Sequence, residues 1–268
     1  MLGEMLREWR HQRGYSQLAL ALEAEISSRH LSFLETGRAN PSRDMVLRLA
    51  DVLRMPLRAQ NGLLAAAGFA PLFGERTMED PDMAPVRQAI GLILRSHDPF
   101  PAAAIDGRFE ILDCNAGFVG LMQQLGLAQA MAESGAEQTR SLLAFIFADG
   151  PNRALIDNWA EVAGHMITRL KADAWRQGPS GTAQVLLDDA VRQPGMEAVM
   201  RAVEASSPQP LIPIRLRVGD MVSSWITTMT SFGAPNDAYV EELSIEQFHP
   251  ADEQTERLMR QLATSHPQ

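Results

Sequence analysis

Apolar positions recur at helical spacing along the first seventy residues. Between Ser16 and Glu35, two stretches with apolar residues three or four positions apart each follow a serine. Leu20 is predicted to face inward in the first stretch, and Leu31 and Leu34 in the second. Serine before such a stretch caps a helix, because its hydroxyl accepts a hydrogen bond from a free backbone N–H. The pattern therefore predicts a helix, a tight turn and a second helix.

The exposed face of the second helix is polar and cationic. Ser28, Arg29 and Ser32 are predicted to lie opposite the apolar stripe. Arginine binds guanine through two parallel hydrogen bonds, and serine serves a base edge or a phosphate, so this face fits the DNA major groove. The alternative is an ordinary helical bundle with a polar surface. The residues predicted to contact bases or phosphates are Gln17, Ser27, Ser28, Arg29, Ser32, Thr36, Arg38 and Asn40.

The pattern changes after residues 71–83, where proline, glycine and acidic residues are typical of a linker. An amphipathic helix is predicted next, and two pairs of short alternating strands flank a mainly helical region. This order favours a small antiparallel sheet covered by helices. We therefore expect an all-α domain over 1–70, the linker over 71–83, an α+β domain over 84–262 and a tail over 263–268.

Charge divides the chain in the same way. Residues 1–72 hold nine arginines against seven acidic residues, a net charge of +2, whereas the rest holds fifteen basic and twenty-six acidic residues, a net charge of −11. DNA phosphates repel so acidic a body, so only the N-terminal domain is suited to touch DNA. Its modest charge favours a homodimer that binds an inverted-repeat operator in double-stranded DNA.

Composition excludes several classes of protein. One cysteine in 268 residues excludes a disulfide framework. The sequence contains no signal peptide, long apolar run, metal-ligand spacing or recognisable catalytic motif. We therefore expect a cytoplasmic protein that makes no membrane contact, is not an enzyme, and has no catalytic or metal-binding residues.

The N-terminal pattern resembles the XRE/Cro-type helix-turn-helix regulators over roughly residues 1–70. The residues that carry this resemblance are Ser16-Gln17…Leu20-Ala21…Ile26-Ser27…Leu31-Ser32…Leu34-Glu35-x-Gly37-Arg38-x-x-Pro41-Ser42. In that family an arginine late in the first helix pairs with a glutamate near the end of the recognition helix, which implies a structural pair of Arg10 and Glu35. The family usually has glycine in the turn, where φ is positive, and this chain has Glu25 there.

The second domain looks like a PAS-type domain, and more specifically resembles the ligand-binding domain of the MmyB-like transcription regulators. The residues that carry this resemblance are Phe147-x-Asp149-x-x-x-Arg153…Asp157-x-Trp159…Leu170-Lys171-x-Asp173 and Phe232-Gly233-x-Pro235-x-Asp237…Glu242-Leu243-x-Ile245-Glu246-x-Phe248-x-Pro250-x-Asp252…Thr255. The resemblance implies a transcription regulator with a PAS-like pocket for a fatty-acid-like or other apolar small molecule, and no further cofactor.

Helical and strand spacing selects candidates for that pocket. Trp159 and Met166 lie seven positions apart, on one face of a helix, and alternate residues 225, 227 and 229 share one face of a strand. Arg153 could hold a ligand carboxylate, or could instead pair with acidic neighbours on its own helix. The candidate ligand-binding residues are Ile105, Ile111, Arg153, Trp159, Met166, Trp225, Thr227 and Met229. The alternative for the aromatic and methionine residues is ordinary core.

Other functions stay open for the second domain. A PAS-like pocket can hold haem or flavin, which would make the protein a redox or light sensor. The domain could also be a pure dimerisation scaffold, or an enzyme fused to the DNA-binding domain, although no catalytic set is recognisable.

Overall fold

The computed structural model describes residues 2–127, 141–179, 181–205, 211–233 and 235–265. The α-helices of this part of the chain are α1 (Leu2–Gln12), α2 (Gln17–Glu23), α3 (Ser28–Glu35), α4 (Arg43–Val52), α5 (Leu57–Ala66), α6 (Ala84–Ser96), α7 (Ala116–Gln124), α8 (Leu142–Phe147), α9 (Pro151–Ala154), α10 (Trp159–Gln177), α11 (Thr182–Val191), α12 (Met196–Ala205), α13 (Ala238–Glu242) and α14 (Glu253–Ser265). The strands are β1 (Ala102–Ile105), β2 (Ile111–Cys114), β3 (Ile214–Val218), β4 (Met221–Ser231) and β5 (Ser244–Pro250).

Contacts along the chain define two compact units. The first unit comprises Met1–Thr77, Lys171–Gln184 and Ala234–Glu241, and the second unit comprises the remaining residues. The first begins with helices α1 to α5, and the second contains the sheet. The predicted fold class, an all-α N-terminal domain followed by an α+β domain, is confirmed.

Serine caps set the helix boundaries of the first unit. The hydroxyls of Ser16, Ser27 and Ser42 each accept a hydrogen bond from the backbone N–H three residues on, at 3.0, 3.1 and 3.3 Å. These bonds begin α2, α3 and α4, and each of these helices follows a serine in the sequence. In the turn between α2 and α3, Glu25 has a φ of 55°, the left-handed conformation that glycine usually takes there.

Arg13, directly after α1, caps the C-terminal end of α10 inside the first unit. Its guanidinium donates to the carbonyl oxygens of Trp175 and Arg176, which lie in the last turn of that helix. The same group lies 4.9 Å from the ring centroid of Trp9 and 4.4 Å from that of Trp175. Gly178 follows with a φ of +92°, and a Cβ placed there would lie 2.1 Å from the Trp9 ring.

Residues around α13 also belong to the first unit. Glu241 accepts a hydrogen bond at 2.8 Å from the backbone N–H of Leu57, the first residue of α5. Pro56, the residue before Leu57, has no side-chain group that could cap α5. The carboxylate of Glu241 caps this helix instead. Asp237 accepts from the guanidinium of Arg76 at 3.1 Å. Distant residues thus complete the N-terminal helical unit.

Within the described residues, five strands form one antiparallel sheet in the order β2-β1-β5-β4-β3. Trp225 of β4 and Phe248 of β5 pack in one core with Phe118 of α7 and Ile167 of α10. Helices therefore cover the inner face of the sheet, as predicted. Both predicted strand pairs, β1 with β2 and β3 with β4, are present.

The sequence predicts a hairpin turn at Asp106-Gly107 and a C-terminal helix that opens at Pro250, and the structure differs in detail at both places. The turn between β1 and β2 is longer than Asp106-Gly107 alone, because the Asp106 carboxylate accepts from the backbone N–H groups of Arg108 and Glu110, at 2.8 and 2.9 Å. Pro250 ends β5 instead of opening the C-terminal helix, whose first turn is capped by Asp252. The longer turn shortens the two strands of the first hairpin, and α14 begins three residues after Pro250.

Candidate DNA-binding surface and ligand cavity

Helix α3 presents a polar face with an arginine at its centre. Ser28 and Arg29 are exposed and Ser32 is partly exposed, whereas Leu31 and Leu34 are buried. The Arg29 guanidinium lies 5.3 Å from the Phe33 ring centroid. In the described part of the chain it forms no salt bridge with a carboxylate. Its donor fork is available for a base edge or a phosphate.

A buried ion pair holds α3 against α1. Arg10 donates to the carboxylate of Glu35 through Nε at 2.6 Å and through Nη2 at 3.1 Å, and both side chains are buried. Burial alone would raise the pKa of Glu35, but hydrogen bonds from Arg10 and Gln17, with the charges of Arg10 and Arg7, lower it below its usual value. The pair implied by the family resemblance is therefore present, and it fixes the orientation of α3.

Three residues expected at DNA also serve the helices themselves. Gln17 is predicted to contact a phosphate, and its amide nitrogen also donates to Glu35 at 2.8 Å and joins the ion-pair network. The hydroxyl of Thr36 donates to the carbonyl oxygen of Ser32 at 2.7 Å, and that of Ser27 caps α3. Arg38 and Asn40 follow α3 and are exposed.

Gly3 is a positioning residue that the pattern did not reveal. A Cβ on Gly3 would lie 2.3 Å from the carbonyl oxygen of Glu35. Only glycine lets α1 approach the end of α3 so closely. The spacing of apolar residues does not indicate such a backbone contact, because the contact depends on how the two helices cross.

The second unit contains an apolar cavity of about 70 Å³ between the sheet and helices α7, α8 and α10. The lining residues come from four helices and three strands and the segments beside them. They are Ile111, Phe118, Leu121, Met122, Leu127, Ser141, Leu142, Phe145, Ile146, Asn152, Ile156, Val162, Met166, Ile214, Leu216, Glu246 and Phe248. An enclosed apolar site with few polar groups is the usual form of a small-molecule site.

Two of the eight candidate ligand residues, Ile111 and Met166, line this cavity. Ile105 and Trp225 are fully buried in the core, and the indole N–H of Trp225 donates to Ser223 at 3.0 Å. Met229 is 43% exposed, so the inward face expected of its strand ends before it. The alternation of side chains along the strand predicts correctly that Trp225 faces the core. It does not show how far along the strand the helices cover that face.

Arg153 and Trp159 pack against each other rather than lining the cavity. The Arg153 guanidinium lies 3.2 Å from the Trp159 ring centroid and donates to the carbonyl oxygen of Pro194 at 2.7 Å. The indole N–H of Trp159 donates to the carbonyl oxygen of Ile146, at 2.8 Å. The arginine therefore ties α9 and α10 to the segment before α12 and does not line the cavity.

Glu246 is the buried acid that the sequence prediction of the cavity missed. It is 4% exposed and lines the cavity beside Phe248. Burial raises the pKa of its carboxyl group, and the charge of Arg169 and a hydrogen bond from Thr227 oppose this shift. Thr227, one of the predicted ligand residues, thus contacts Glu246 but does not line the cavity itself. The family-like run at 242–252 contains Glu246, but only the sheet register shows that it faces inward.

Other reactive groups are unremarkable in the described residues. No group of three or more metal-ligating side chains occurs there. Burial and the nearby charge of Asp113 raise the pKa of the Cys114 thiol, which makes this group a weaker nucleophile at neutral pH. No helix among the described residues combines the length and the apolar character that crossing a bilayer requires.

Two domain families match the chain. A helix-turn-helix domain matches residues 1–60, and the MmyB-like transcription regulator ligand binding domain matches residues 86–262, about two thirds of the chain. None of the curated proteins matches the sequence. Each match covers one of the two patterns recognised from the sequence, in the same order.

Proposed function

Since this chain belongs to the MmyB-like transcription regulators, we propose that it controls transcription in response to a small apolar effector bound in the cavity of the second unit. The protein is a DNA-binding transcription regulator with a ligand-binding domain, and both matched families are regulator modules. The nature of the effector is the proposal. The observation that carries it is the apolar cavity between the sheet and α10.

The cavity wall favours an alkyl or acyl-like body. Its lining is apolar apart from Ser141, Asn152 and Glu246. The Ser141 hydroxyl already accepts a hydrogen bond from the backbone N–H of Ala144, at 3.3 Å. A fatty-acid-like chain gains free energy there, because each methylene removed from water contributes about 0.8 kcal/mol.

The size of the cavity sets a condition on the ligand. At about 70 Å³ it is less than half of the roughly 150 Å³ that accommodates benzene in an engineered protein cavity. A chain of many carbons therefore requires lining side chains to move. Met122 and Met166 are suited to this, because methionine is unbranched and adapts to irregular spaces.

Ligand binding is tested by thermal shift of the full chain with alkyl compounds of increasing length. A bound compound at a hundredfold excess over its dissociation constant should stabilise the protein by about 2.7 kcal/mol. Met166→Arg should abolish this shift, together with any effect of the compound on DNA binding, because the charge would enter an apolar wall.

Met221→Arg is the matched control, because Met221 is exposed and outside the cavity. It should leave the ligand-induced shift unchanged. If no apolar compound stabilises the wild-type protein, the effector proposal is wrong, and the second unit serves as a dimerisation scaffold.

For DNA, we propose that α3 enters the major groove, with Arg29 at a base edge and Arg38 and Asn40 at phosphates. The exposure of these side chains and the fixed orientation of α3 support this arrangement. A homodimer on an inverted repeat completes the proposal. Footprinting of a selected operator should show protection of two symmetric half-sites.

A further inference from the structure

A carboxyl group is built into the central strand at the cavity wall. Glu246 lies on β5, the middle strand, and pairs in register with Ala103 of β1 and Met229 of β4. Side chains alternate along a strand, so Glu246 and Phe248 face the same side. Both line the cavity. The sheet therefore holds this acid at a fixed position against the ligand space.

Glu246 is an acidic side chain in a cavity wall that is otherwise largely apolar. The hydroxyl of Thr227 donates one hydrogen bond, and Arg169 of α10 acts through its charge. An ionised carboxylate accepts about four hydrogen bonds. Burying such a group costs free energy unless polar partners satisfy it, and the remaining wall is largely apolar. A ligand that donates a hydrogen bond would add a polar partner to this carboxyl group at the cavity wall.

We propose that Glu246 is the polar anchor of the effector site, and that the effector joins an apolar body to a hydrogen-bond donor, an amine or a hydroxyl group. The inference rests on the proposed function, because it assigns the head group of the ligand that the cavity takes. An ammonium or hydroxyl group forms a charge-assisted hydrogen bond with the carboxylate. A ligand carboxylate would place two acids together, and their repulsion opposes the ionisation of both.

A matched series of six-carbon ligands tests the assignment. Hexylamine, 1-hexanol, hexanoate and hexane share an alkyl body and differ in the head group. Calorimetric titration of the full-length wild-type protein should give hexylamine and 1-hexanol about tenfold or greater affinity over hexanoate, the range expected for a hydrogen bond to a charged group. Glu246→Gln should remove the preference for hexylamine, while binding of hexane should remain.

Glu253→Gln is the control, because it makes the same chemical change on α14 at a carboxylate that is 87% exposed and outside the cavity. It should keep the wild-type ranking. Thr227→Val, which removes the donor but keeps the acid, should retain the preference for hexylamine and provides a second variant if Glu246→Gln folds poorly.

Two results would overturn the head-group assignment and leave the apolar effector in place. One is hexanoate binding to the wild-type protein as tightly as hexylamine. The other is an unchanged preference for hexylamine in folded Glu246→Gln. A wild-type protein that binds none of the four compounds, hexane included, would instead contradict the proposed function on which the assignment rests.

Discussion

At the residue scale, Arg29 combines exposure with the chemistry of base recognition. It lies on the polar face of α3, and its guanidinium is positioned over Phe33. Arg29→Ala should lower the affinity for the operator by about 1–3 kcal/mol per half-site, because a bidentate contact with guanine is lost. Affinity for random DNA should change much less. Gel-shift titrations against operator and random duplexes measure both.

Arg38 offers a contrast for the same experiment. We expect it at a phosphate, so Arg38→Ala should weaken binding to all sequences alike and reduce the salt dependence by about one counterion. If Arg29→Ala keeps the full discrimination between operator and random DNA, then α3 is not the reading helix.

Glu35 contributes stability through its pair with Arg10. Removing one partner of a buried pair leaves the other charge uncompensated, at a cost of roughly 3–5 kcal/mol. Glu35→Ala should therefore lower the melting temperature of the full chain well below that of the wild type. Glu253→Ala removes an exposed pair with Arg257 on α14 and should have little effect. Overlapping melts of Glu35→Ala and the wild type would contradict the assignment.

The same pair predicts a pH dependence. Because the pKa of Glu35 is lowered in the folded protein, its contribution to stability is present above the ordinary glutamate pKa of about 4.3. The contribution is lost as the pH falls through the lowered pKa. The stability difference between wild type and Glu35→Ala should thus be constant near neutral pH and shrink in acid. Urea titrations at several pH values measure it, and a difference that grows in acid would reverse the sign.

At the element scale, the end of α10 shows how closely two helices can pack. Gly178 has a positive φ and lies against the ring of Trp9, which is 4% exposed and has little room to move. Gly178→Ala should destabilise the full chain by more than the roughly 1–2 kcal/mol that the left-handed conformation alone costs. Chemical denaturation measures the change.

Gly14 separates the two effects, because it also has a positive φ, +73°, but a Cβ there meets nothing within 4 Å. Gly14→Ala should show the conformational cost alone. Equal losses in the two variants would mean that the Trp9 ring moves aside without cost.

Elements whose signals are local could be predicted from the sequence. Ser16, Ser27 and Ser42 begin helices α2, α3 and α4 because capping involves a residue and its neighbours three positions on. The strand pairs could also be predicted from alternation, although the length of the first turn and the end of the last strand were predicted less accurately. The position of Glu246 could not be predicted, because its burial depends on strands that are distant in the sequence.

The candidate site divides along the same line. The helical period predicts that Arg29 is exposed on α3. The same period predicts that Met166 lies on the apolar face of α10, where it lines the cavity. The contact of Arg153 with Pro194 and the network that holds Gln17 depend on tertiary packing, so the sequence could not predict these contacts.

At the scale of the whole molecule, charge argues for two copies on DNA. A DNA-binding part with a net charge of +2 neutralises few phosphates, while the rest of the chain carries −11 and repels DNA. Two linked copies gain affinity because the second half-site is bound at high effective concentration. Symmetric helix-turn-helix dimers read half-sites about 10 base pairs apart.

We therefore expect a homodimer joined mainly through residues after 84, which binds an inverted repeat. Sedimentation velocity of the full chain should show a dimer at micromolar concentration. Its affinity should fall by orders of magnitude when one half-site of the duplex is replaced by random sequence, because the second contact is lost. Changing the spacing by five base pairs, half a helical turn, should have a similar effect, since it puts one half-site on the opposite side of the duplex. A monomer that binds a single half-site tightly would contradict this assembly, and would require the affinity to come from contacts of one DNA-binding unit alone.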